Sequence, residues 1–384
     1  MTVREKFLRT MEFDLSTPPP LWEQGYWGTT INRWYKEGML KFQGNIPKDQ
    51  LPGKGVQGIP VVGPLSGEEE NYNLDEEYKA FPGNFWIFPE FERRVLEKQG
   101  NRQIIIDEMG VKQKVSLEGS IPEFYEWPVK NRKDWEEFKN ERFNPKTPGR
   151  YPKNLDEVIE KFKTRNYPLH LKGGGIGFFG SLRCLMGEIR LMTGYYDDPG
   201  LIKDIINYLV DFWMELSSPI LSRIQVDSVN MWEDMCYKTG PLVSPDTFRE
   251  FMLPAYNKFT SFLKDYGVRN IVVDTDGNCW KLIPLFLEGG VTGLLPMEVA
   301  AGMNIIEVRK EFPKLQIMGG IDKRALIKGK KEIDRELENK ISFMLKKGGY
   351  IPYVDHHVPP DVSLENFVYY RSRLNKIINE VFKS

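Results

Sequence analysis

The stretch NIVVDTD, residues 270–276, is a short apolar run that ends in two acidic residues, Asp274 and Asp276, directly before a turn. The same arrangement recurs along the C-terminal half of the chain. Several strands that each end in a polar residue are typical of an active-site rim, because catalytic residues of barrel enzymes come from the ends of different strands. The four further runs are SVNMWED (228–234), GLLPME (293–298), IMGGID (317–322) and YIPYVDHH (350–357).

The spacing of these runs predicts the fold. Successive acids lie about 24 to 41 residues apart, and one strand with its crossover helix needs about 30 residues. Each interval therefore accommodates one strand–helix unit, and we predict an α/β fold, a (β/α)8 TIM barrel, with the acids at its mouth. The alternative is that Asp and Glu at these places only form turns and cap helices.

The length and composition predict a single domain over residues 1–384. The chain has 384 residues, of which 41% are hydrophobic, enough for a barrel of about 250 residues with additions. Residues 1–150 are rich in Pro, Gly and aromatic residues and predict a first strand with a loop-rich elaboration. Within it, RQIIIDEMG (102–110) and VKQKVSLEG (111–119) predict a hairpin. Residues 151–384 predict regular strand–helix units.

Charge and hydropathy exclude several classes of partner. The 53 Lys and Arg residues balance the 54 Asp and Glu residues to a net charge of −1, which argues against nucleic acid. No stretch approaches the roughly 18 consecutive apolar residues of a membrane span, and the N-terminal residues are charged rather than signal-like. We predict a cytoplasmic protein that acts on a small molecule, without a membrane partner, with a homodimer as an open alternative to a monomer.

The three cysteines, Cys184, Cys236 and Cys279, predict buried free thiols. Their number is odd and no C-x-x-C pair occurs, so neither a disulfide framework nor a zinc ribbon is indicated. Cys279 follows Asp276 at a predicted helix start, where a thiolate is stabilised. A reactive thiol is therefore the alternative at that position.

Residues 175–180, GIGFFG, match the pattern G-x-G-x-x-G directly after a predicted strand. That pattern alone indicates a dinucleotide-binding loop. The paired Phe178 and Phe179, however, do not fit the small-residue helix start that a pyrophosphate needs. We therefore favour a flexible loop at the barrel mouth over a nucleotide site.

Five segments of the C-terminal half carry a resemblance to known proteins. They are MWEDMCYKTGPLVSPDTFREFMLPAY, NIVVDTDGN, EGGVTGLLPMEVAAGMNI, MGGIDKRAL and GGYIPYVDHHVPPDVSLENF. These segments resemble the superfamily of the uroporphyrinogen decarboxylases and corrinoid methyltransferases, with similarity over most of residues 165–380, and REKFLRTMEF with PPLWEQGYWGTTINRW resembles its N-terminal opening and first strand. The resemblance implies a (β/α)8 barrel with a cleft at the C-terminal strand ends.

The decarboxylase branch of this superfamily holds substrate carboxylates with an Arg-rich R-Q-A-G-R-Y segment near its N-terminus. Here the corresponding residues 22–34 are WEQGYWGTTINRW, so resemblance to this branch implies substrate contacts for Arg33 and Trp27 and no cofactor. A porphyrinogen with many carboxylates would need more cationic partners than Arg33 alone. Decarboxylation of a smaller substrate is the form of this function that the residues allow.

The methyltransferase branch binds zinc through an H-x-C motif after one strand and a Cys in a late G-C-G turn. In this chain Asp274-Thr-Asp276 occupies the first place and Asp355-His356-His357 the second. Carboxylate and imidazole groups bind zinc and also suit Mn, Fe or Mg. The resemblance therefore implies a divalent metal, zinc or similar, held by Asp274, Asp276, Asp355, His356 and His357.

The remaining acids of the rim are predicted to do acid–base chemistry. Without a metal, Asp274, Asp276 and Glu298 would share a cleft in which like charges raise one pKa and place a general acid beside a carboxylate base. Glu233, at the end of an earlier run, completes the predicted catalytic set.

Four rim residues are predicted substrate contacts. Trp232 would form an aromatic wall, with Asp234 next to it, while Asp322 and His170 would supply polar contacts. The alternatives are a core position for Trp232, a helix cap for Asp322 and a structural hydrogen bond for His170.

The sequence thus predicts an enzyme, and we favour a metal-dependent methyltransferase in a corrinoid-linked demethylation pathway, with the corrinoid carried by a partner protein. The first alternative is a metal-independent lyase of the decarboxylase type. The second is a non-catalytic barrel that binds a tetrapyrrole or corrinoid or serves as a partner subunit.

Overall fold

The structure is a computed structural model that describes residues 1–39, 55–56, 74–75, 78–116, 122–171 and 175–383. The chain divides into two compact units. The terminal unit comprises the described residues up to 75 together with residues 294–383, and the central unit comprises the described residues from 78 to 293. The single domain with an internal boundary at residue 150 stays a prediction.

Helices and strands alternate along most of the described chain. The helices are α1 (Val3–Met11), α2 (Gly28–Lys36), α3 (Arg132–Arg142), α4 (Leu155–Lys163), α5 (Phe178–Met186), α6 (Glu188–Asp197), α7 (Pro199–Leu221), α8 (Pro245–Thr247), α9 (Leu253–Asp265), α10 (Ile283–Glu288), α11 (Ile305–Glu311), α12 (Lys323–Lys328), α13 (Lys330–Lys347) and α14 (Leu364–Lys383). The strands are β1 (Tyr26–Trp27), β2 (Gly55–Val56), β3 (Lys79–Ala80), β4 (Arg94–Gln99), β5 (Arg102–Ile106), β6 (Lys112–Ser116), β7 (Glu123–Glu126), β8 (Leu169–Leu171), β9 (Ser228–Trp232), β10 (Cys236–Tyr237), β11 (Gly240–Pro241), β12 (Ile271–Asp274), β13 (Gly293–Leu295), β14 (Gln316–Met318) and β15 (Tyr350–Ile351).

Four strands of the central unit are parallel neighbours, in the order β12-β9-β8-β3. Both faces of these strands carry buried apolar residues: Val229 and Met231 lie on one face and Val272, paired with Asn230, on the other, and all three are completely buried. Helices α5, α6 and α7 connect β8 to β9, and α9 lies between β9 and β12 in the chain. Strands that read as nearly continuous apolar runs are typical of parallel sheets covered on both faces.

The terminal unit contributes the strands β13, β14 and β15, with β14 between the other two and parallel to β15. Tyr26 of β1 forms a parallel bridge with Val358, and the Val358 N–H donates to the Gly25 carbonyl at 2.9 Å. The predicted first strand therefore lies beside the segment that follows the last strand of the chain.

These strands and helices confirm the predicted α/β fold of the TIM-barrel type. The described residues supply seven parallel strands, four in the central unit and three in the terminal unit, where a complete (β/α)8 barrel has eight. Among the described residues, no helix is long and apolar enough to cross a membrane.

The elaboration is an antiparallel sheet of the central unit with strand order β4-β5-β6-β7. The predicted hairpin is its middle pair, β5 and β6, with Arg102 opposite Ser116 and Ile106 opposite Lys112. Asp107 closes the turn, because its carboxylate accepts the Val111 N–H at 2.8 Å and the Gln113 amide at 2.6 Å. The hairpin is thus confirmed, and β4 and β7 extend it on both sides.

A buried ion pair ties three segments of the terminal unit together. The side chains of Glu23 and Arg371 are 1% and 0% exposed, with 3.4 Å between Oε2 and Nη1. Glu23 also accepts the Val354 N–H at 3.0 Å and the Tyr370 hydroxyl at 3.1 Å, and Arg371 donates to the Trp22 carbonyl. The pair therefore fixes the N-terminal segment and helix α14 against the turn that begins at Val354.

Removing the positive member of this pair leaves a buried carboxylate without its counterion. We expect Arg371→Met to lower the free energy of unfolding by about 3–5 kcal/mol, the usual cost of breaking a buried pair. Urea unfolding followed by circular dichroism measures it. The matched control is Lys376→Met in the same helix, whose pair with Glu380 is exposed and whose loss should change little. Equal effects of the two substitutions would contradict the assignment.

Candidate functional site

Three carboxylates converge at the ends of two neighbouring strands of the central unit. Asp274 is the last residue of β12, Asp276 follows two residues later, and Asp234 follows the end of β9 by two residues. One oxygen of each lies within 4.8 Å of the others, and all three side chains are half-buried. Because β9 and β12 run parallel with Asp274 beside Trp232, their C-terminal ends open at the same edge of the sheet.

The turn after β9 aims Asp234 at the other two acids. Asp234 adopts a left-handed backbone with φ of 44°, a conformation that Asp tolerates better than most residues. The Glu233 N–H donates to the Asp274 carbonyl at 2.9 Å, and the Asp276 N–H lies 3.3 Å from Asp234 Oδ1. The two turns are therefore joined to each other directly.

This group of acids fits a divalent cation. Three carboxylates in so small a volume repel one another, and a bound cation relieves that repulsion. Carboxylate oxygens are the preferred ligands of Mg²⁺, Ca²⁺ and Mn²⁺ and also bind zinc. Among the described residues, Asp234, Asp274 and Asp276 form the group of acidic, His or Cys side chains close enough to hold one ion. The sequence placed Asp234 with the substrate contacts rather than with the metal ligands.

Glu233 anchors helix α5 to the end of β9. Its fully buried carboxylate accepts the backbone N–H groups of Phe178, Phe179 and Gly180 at 2.8, 2.6 and 3.0 Å, together with the Tyr256 hydroxyl. Burial raises the pKa of Glu233, while the four donors act in the opposite direction. Both oxygens are engaged in this anchor, so the geometry gives Glu233 a positioning role, and its catalytic role stays a prediction.

The close packing of helix α5 on the end of β9 explains why glycines stand at positions 177 and 180 of the G-x-G-x-x-G match. A Cβ atom at Gly177 or Gly180 would overlap the Trp232 carbonyl oxygen, so both glycines let the start of α5 pack onto the strand end. The N-terminus of α5, which a pyrophosphate would need, is occupied by the Glu233 carboxylate. The glycines therefore serve close packing rather than nucleotide binding. Of the flexible loop predicted at residues 175–180, the last three residues instead begin helix α5.

The other two predicted contacts of the central unit differ in exposure. Trp232 is half-buried, and the guanidinium of Arg183 lies 5.5 Å from its ring centroid, so Trp232 keeps a surface for a ligand. His170 is only 2% exposed; its Nδ1 is hydrogen-bonded to Ser228 and its ring meets that of Tyr78 edge-on. The surroundings of His170 favour the structural alternative, and its substrate contact stays a prediction.

In the terminal unit, Trp27 and the two late histidines form an aromatic cluster. The Trp27 ring centroid lies 6.3 Å from that of His356 and 5.5 Å from that of His357, and the two imidazoles are 5.0 Å apart. Arg33 is engaged close by: it donates to Glu37 at 2.6 Å and to the Pro360 carbonyl at 2.8 Å. Metal ligation by the histidines and substrate binding by Trp27 and Arg33 stay predictions.

Asp355 links two strand ends of the terminal unit from a fully buried position. Its carboxylate accepts the Val299 N–H at 2.8 Å and the Lys323 N–H at 3.3 Å, and the Lys323 ammonium lies 3.7 Å away. Burial raises the pKa of Asp355, against the effect of Lys323. Asp355 thereby holds the backbone next to the half-buried Glu298, while the metal role of Asp355 and the catalytic role of Glu298 stay predictions.

Asp322 caps helix α12. It accepts the Arg324 N–H at 2.9 Å and binds the Arg324 guanidinium through two further hydrogen bonds of 2.8 Å. Although burial raises the pKa of Asp322, its bonds to Arg324 and the positive charge lower it overall. This geometry supports the helix-cap alternative, and the substrate contact predicted for Asp322 stays a prediction.

One residue of the site escaped the sequence analysis. Arg183, in α5, donates from Nη1 to the Asp234 carbonyl at 2.8 Å, and its Nη2 lies 3.9 Å from Asp234 Oδ2. Arg183 and Asp234 are 51 positions apart in the chain, and no motif connects them. A guanidinium therefore borders the acidic group on the side of Trp232.

Comparison with known proteins identifies the family. The family model described as uroporphyrinogen decarboxylase (URO-D) matches residues 103–374. The chain therefore belongs to the uroporphyrinogen decarboxylase family, an enzyme family whose superfamily includes decarboxylases and methyltransferases.

Solved structures show weaker similarity. A B12-independent methionine synthase from Shewanella sp. W3-18-1, in complex with selenomethionine, is 11% identical with a TM-score of 0.36 over 75% of each chain. An IolI protein with a bound zinc atom is 13% identical with a TM-score of 0.32, over 60% of this chain and 82% of that one. No protein of curated function matches the chain.

The anchor role of Glu233 can be tested by an isosteric change. Glu233→Gln puts an amide NH₂ where the carboxylate accepts N–H groups, and we expect a loss of about 1–3 kcal/mol in the free energy of unfolding, measured by urea denaturation. The control is Glu188→Gln, in the first turn of the next helix, where the structure shows no side-chain cap. A Glu233→Gln protein as stable as the control would refute the anchor.

The cysteines are poor nucleophiles in the folded protein. Burial raises the pKa of Cys279 to about 12 and that of Cys184 to about 11, and it also raises the pKa of Cys236. Since the thiolate is the reactive form, we expect negligible labelling by a disulfide reagent at pH 8. All three thiols should react once the protein is denatured. Fast labelling of Cys279 in the native protein would restore the alternative of a reactive thiol.

Proposed function

We propose that this member of the uroporphyrinogen decarboxylase family is a metal-dependent methyltransferase that acts in a corrinoid-linked demethylation pathway. The observation that carries the proposal is the group of Asp234, Asp274 and Asp276, whose oxygens lie within 4.8 Å of one another. Two of these acids occupy the place where the methyltransferase branch has its H-x-C zinc motif. A cation site with oxygen ligands at that place supports a metal enzyme in which carboxylates replace the His and Cys ligands of the methyltransferase branch.

The proposal gives the residues of the central unit three different roles: metal binding, positioning and substrate packing. Asp234, Asp274 and Asp276 would hold a cation, which would supply a Lewis acid to polarise an oxygen of the substrate or acceptor. Glu233 keeps the turn of Asp234 in place through helix α5, and Trp232 offers the wall against which a planar substrate packs.

The terminal unit carries the other residues that the proposal assigns to metal and acid–base chemistry. We propose His356 and His357 as nitrogen ligands of the kind that zinc accepts, and Glu298 as an acid–base group. A methyl group would be transferred between a small molecule and the corrinoid of a partner protein. A cytoplasmic location and a homodimer belong to the same proposal.

The competing function is a metal-independent carboxy-lyase, which the description of the matched family favours. The structure offers one observation against a substrate with many carboxylates. Arg33, the guanidinium of the N-terminal segment, is already bound to Glu37 and to the Pro360 carbonyl. The lyase would then act on a smaller acid.

Metal analysis separates the two functions. We expect the purified protein to bind one divalent ion per chain, and Asp274→Asn and Asp276→Asn to weaken that binding at least about tenfold, because each removes a charged ligand. Inductively coupled plasma mass spectrometry and titration calorimetry with Mn²⁺ and Zn²⁺ measure this. Asp197→Asn, an exposed change in the same unit, should leave binding unchanged. Wild-type protein that binds no metal and still releases CO₂ from a carboxylic acid would establish the lyase instead.

A further inference from the structure

Arg183 lies beside the acidic group without using all its hydrogen-bond donors. Its guanidinium makes one hydrogen bond among the described residues, from Nη1 to the Asp234 carbonyl at 2.8 Å. The separation of 3.9 Å between Nη2 and Asp234 Oδ2 is an ion pair without a direct hydrogen bond. Since a guanidinium has five N–H donors, Arg183 retains donors for a further acceptor.

The surroundings of Arg183 fix its position. Helix α5 is pinned at its N-terminus by Glu233, and Trp232 supports the guanidinium from a ring centroid 5.5 Å away. The Arg183 side chain is 32% exposed and that of Asp234 is 23% exposed, so solutes reach both. A preorganised and accessible guanidinium binds a planar anion at a lower entropic cost than a mobile one.

We propose that Arg183 is a specificity-determining residue that binds a carboxylate of the substrate, so that the substrate is a small carboxylic acid whose apolar part packs on Trp232. The proposal rests on the proposed function for placing the substrate at this edge of the sheet. Guanidinium and carboxylate groups match in a planar, two-pronged geometry.

The neighbouring charges select a carboxylate over a phosphate. Three carboxylates, those of Asp234, Asp274 and Asp276, lie together beside Arg183, and their repulsion of a ligand increases with the negative charge of that ligand. A phosphate monoester carries nearly two charges at neutral pH, whereas a carboxylate carries one. One guanidinium beside three acids therefore suits the singly charged group.

Binding of matched probes to the full-length, Mg²⁺-supplemented protein tests the inference. Benzoate and benzamide have the same shape and differ in charge. By titration calorimetry or saturation-transfer NMR, we expect wild type to bind benzoate at least about tenfold more tightly than benzamide, because only benzoate forms a charge-assisted hydrogen bond with a guanidinium. Arg183→Gln should abolish that preference, and Arg183→Lys should keep part of it.

The control is Arg190→Gln, in the following helix, where the guanidinium makes a weak contact of 3.4 Å with the Met186 carbonyl; it should keep the full preference. A benzoate preference that survives Arg183→Gln, or its absence in wild type, overturns the proposal. Tighter, Arg183-dependent binding of phenyl phosphate than of benzoate overturns the assignment to carboxylates. If Arg183→Gln fails to fold, as thermal melting would show, the Arg183→Lys variant decides.

The test of the carboxylate site can be distinguished from the test of metal binding. Titration of the wild-type protein with Mn²⁺ in the absence of benzoate reports on the metal alone, and Asp276→Asn should weaken that binding because it removes a ligand. Absence of metal with an intact, Arg183-dependent benzoate preference refutes the proposed function and leaves the carboxylate site standing. Metal binding by a protein that shows no preference for benzoate over benzamide refutes the carboxylate site and leaves the proposed metal-dependent function standing.

Discussion

The buried carboxylate of Glu233 is the constraint on which the central unit depends. It satisfies three N–H groups at the start of helix α5 and the hydroxyl of Tyr256 in α9, and thereby fastens two helices to the end of β9. A charged group completely out of water is costly unless its partners are fixed. The position of the next residue, Asp234, and of Arg183 further along α5 follows from that anchor.

Strand ends and their acids could be predicted from the sequence, because an apolar run followed by Asp or Glu is a local pattern. Asp274 and Asp276 lie together for that reason, as predicted. Asp234 was assigned a different role, since its left-handed backbone, which turns the side chain toward β12, leaves no trace in residue types.

The remaining differences arise from contacts between residues far apart in the chain. The positioning role of Glu233 was not foreseen because its partners at 178–180 are more than fifty positions away, and Arg183 was missed for the same reason. The glycines of residues 175–180 matched a nucleotide motif, since tight packing against a strand and close approach of a phosphate both demand the absence of a Cβ. The two cases differ only in which group accepts the N–H groups at the start of the helix: the Glu233 carboxylate in this protein, or a phosphate in a nucleotide-binding protein.

The candidate ligand set of the central unit consists of oxygen atoms alone. Thiolates are open to oxidation, whereas carboxylates have no comparable chemistry. Cation binding to this candidate ligand set should therefore depend on the supply of cations and on acidity rather than on oxygen or on the thiol balance of the cell.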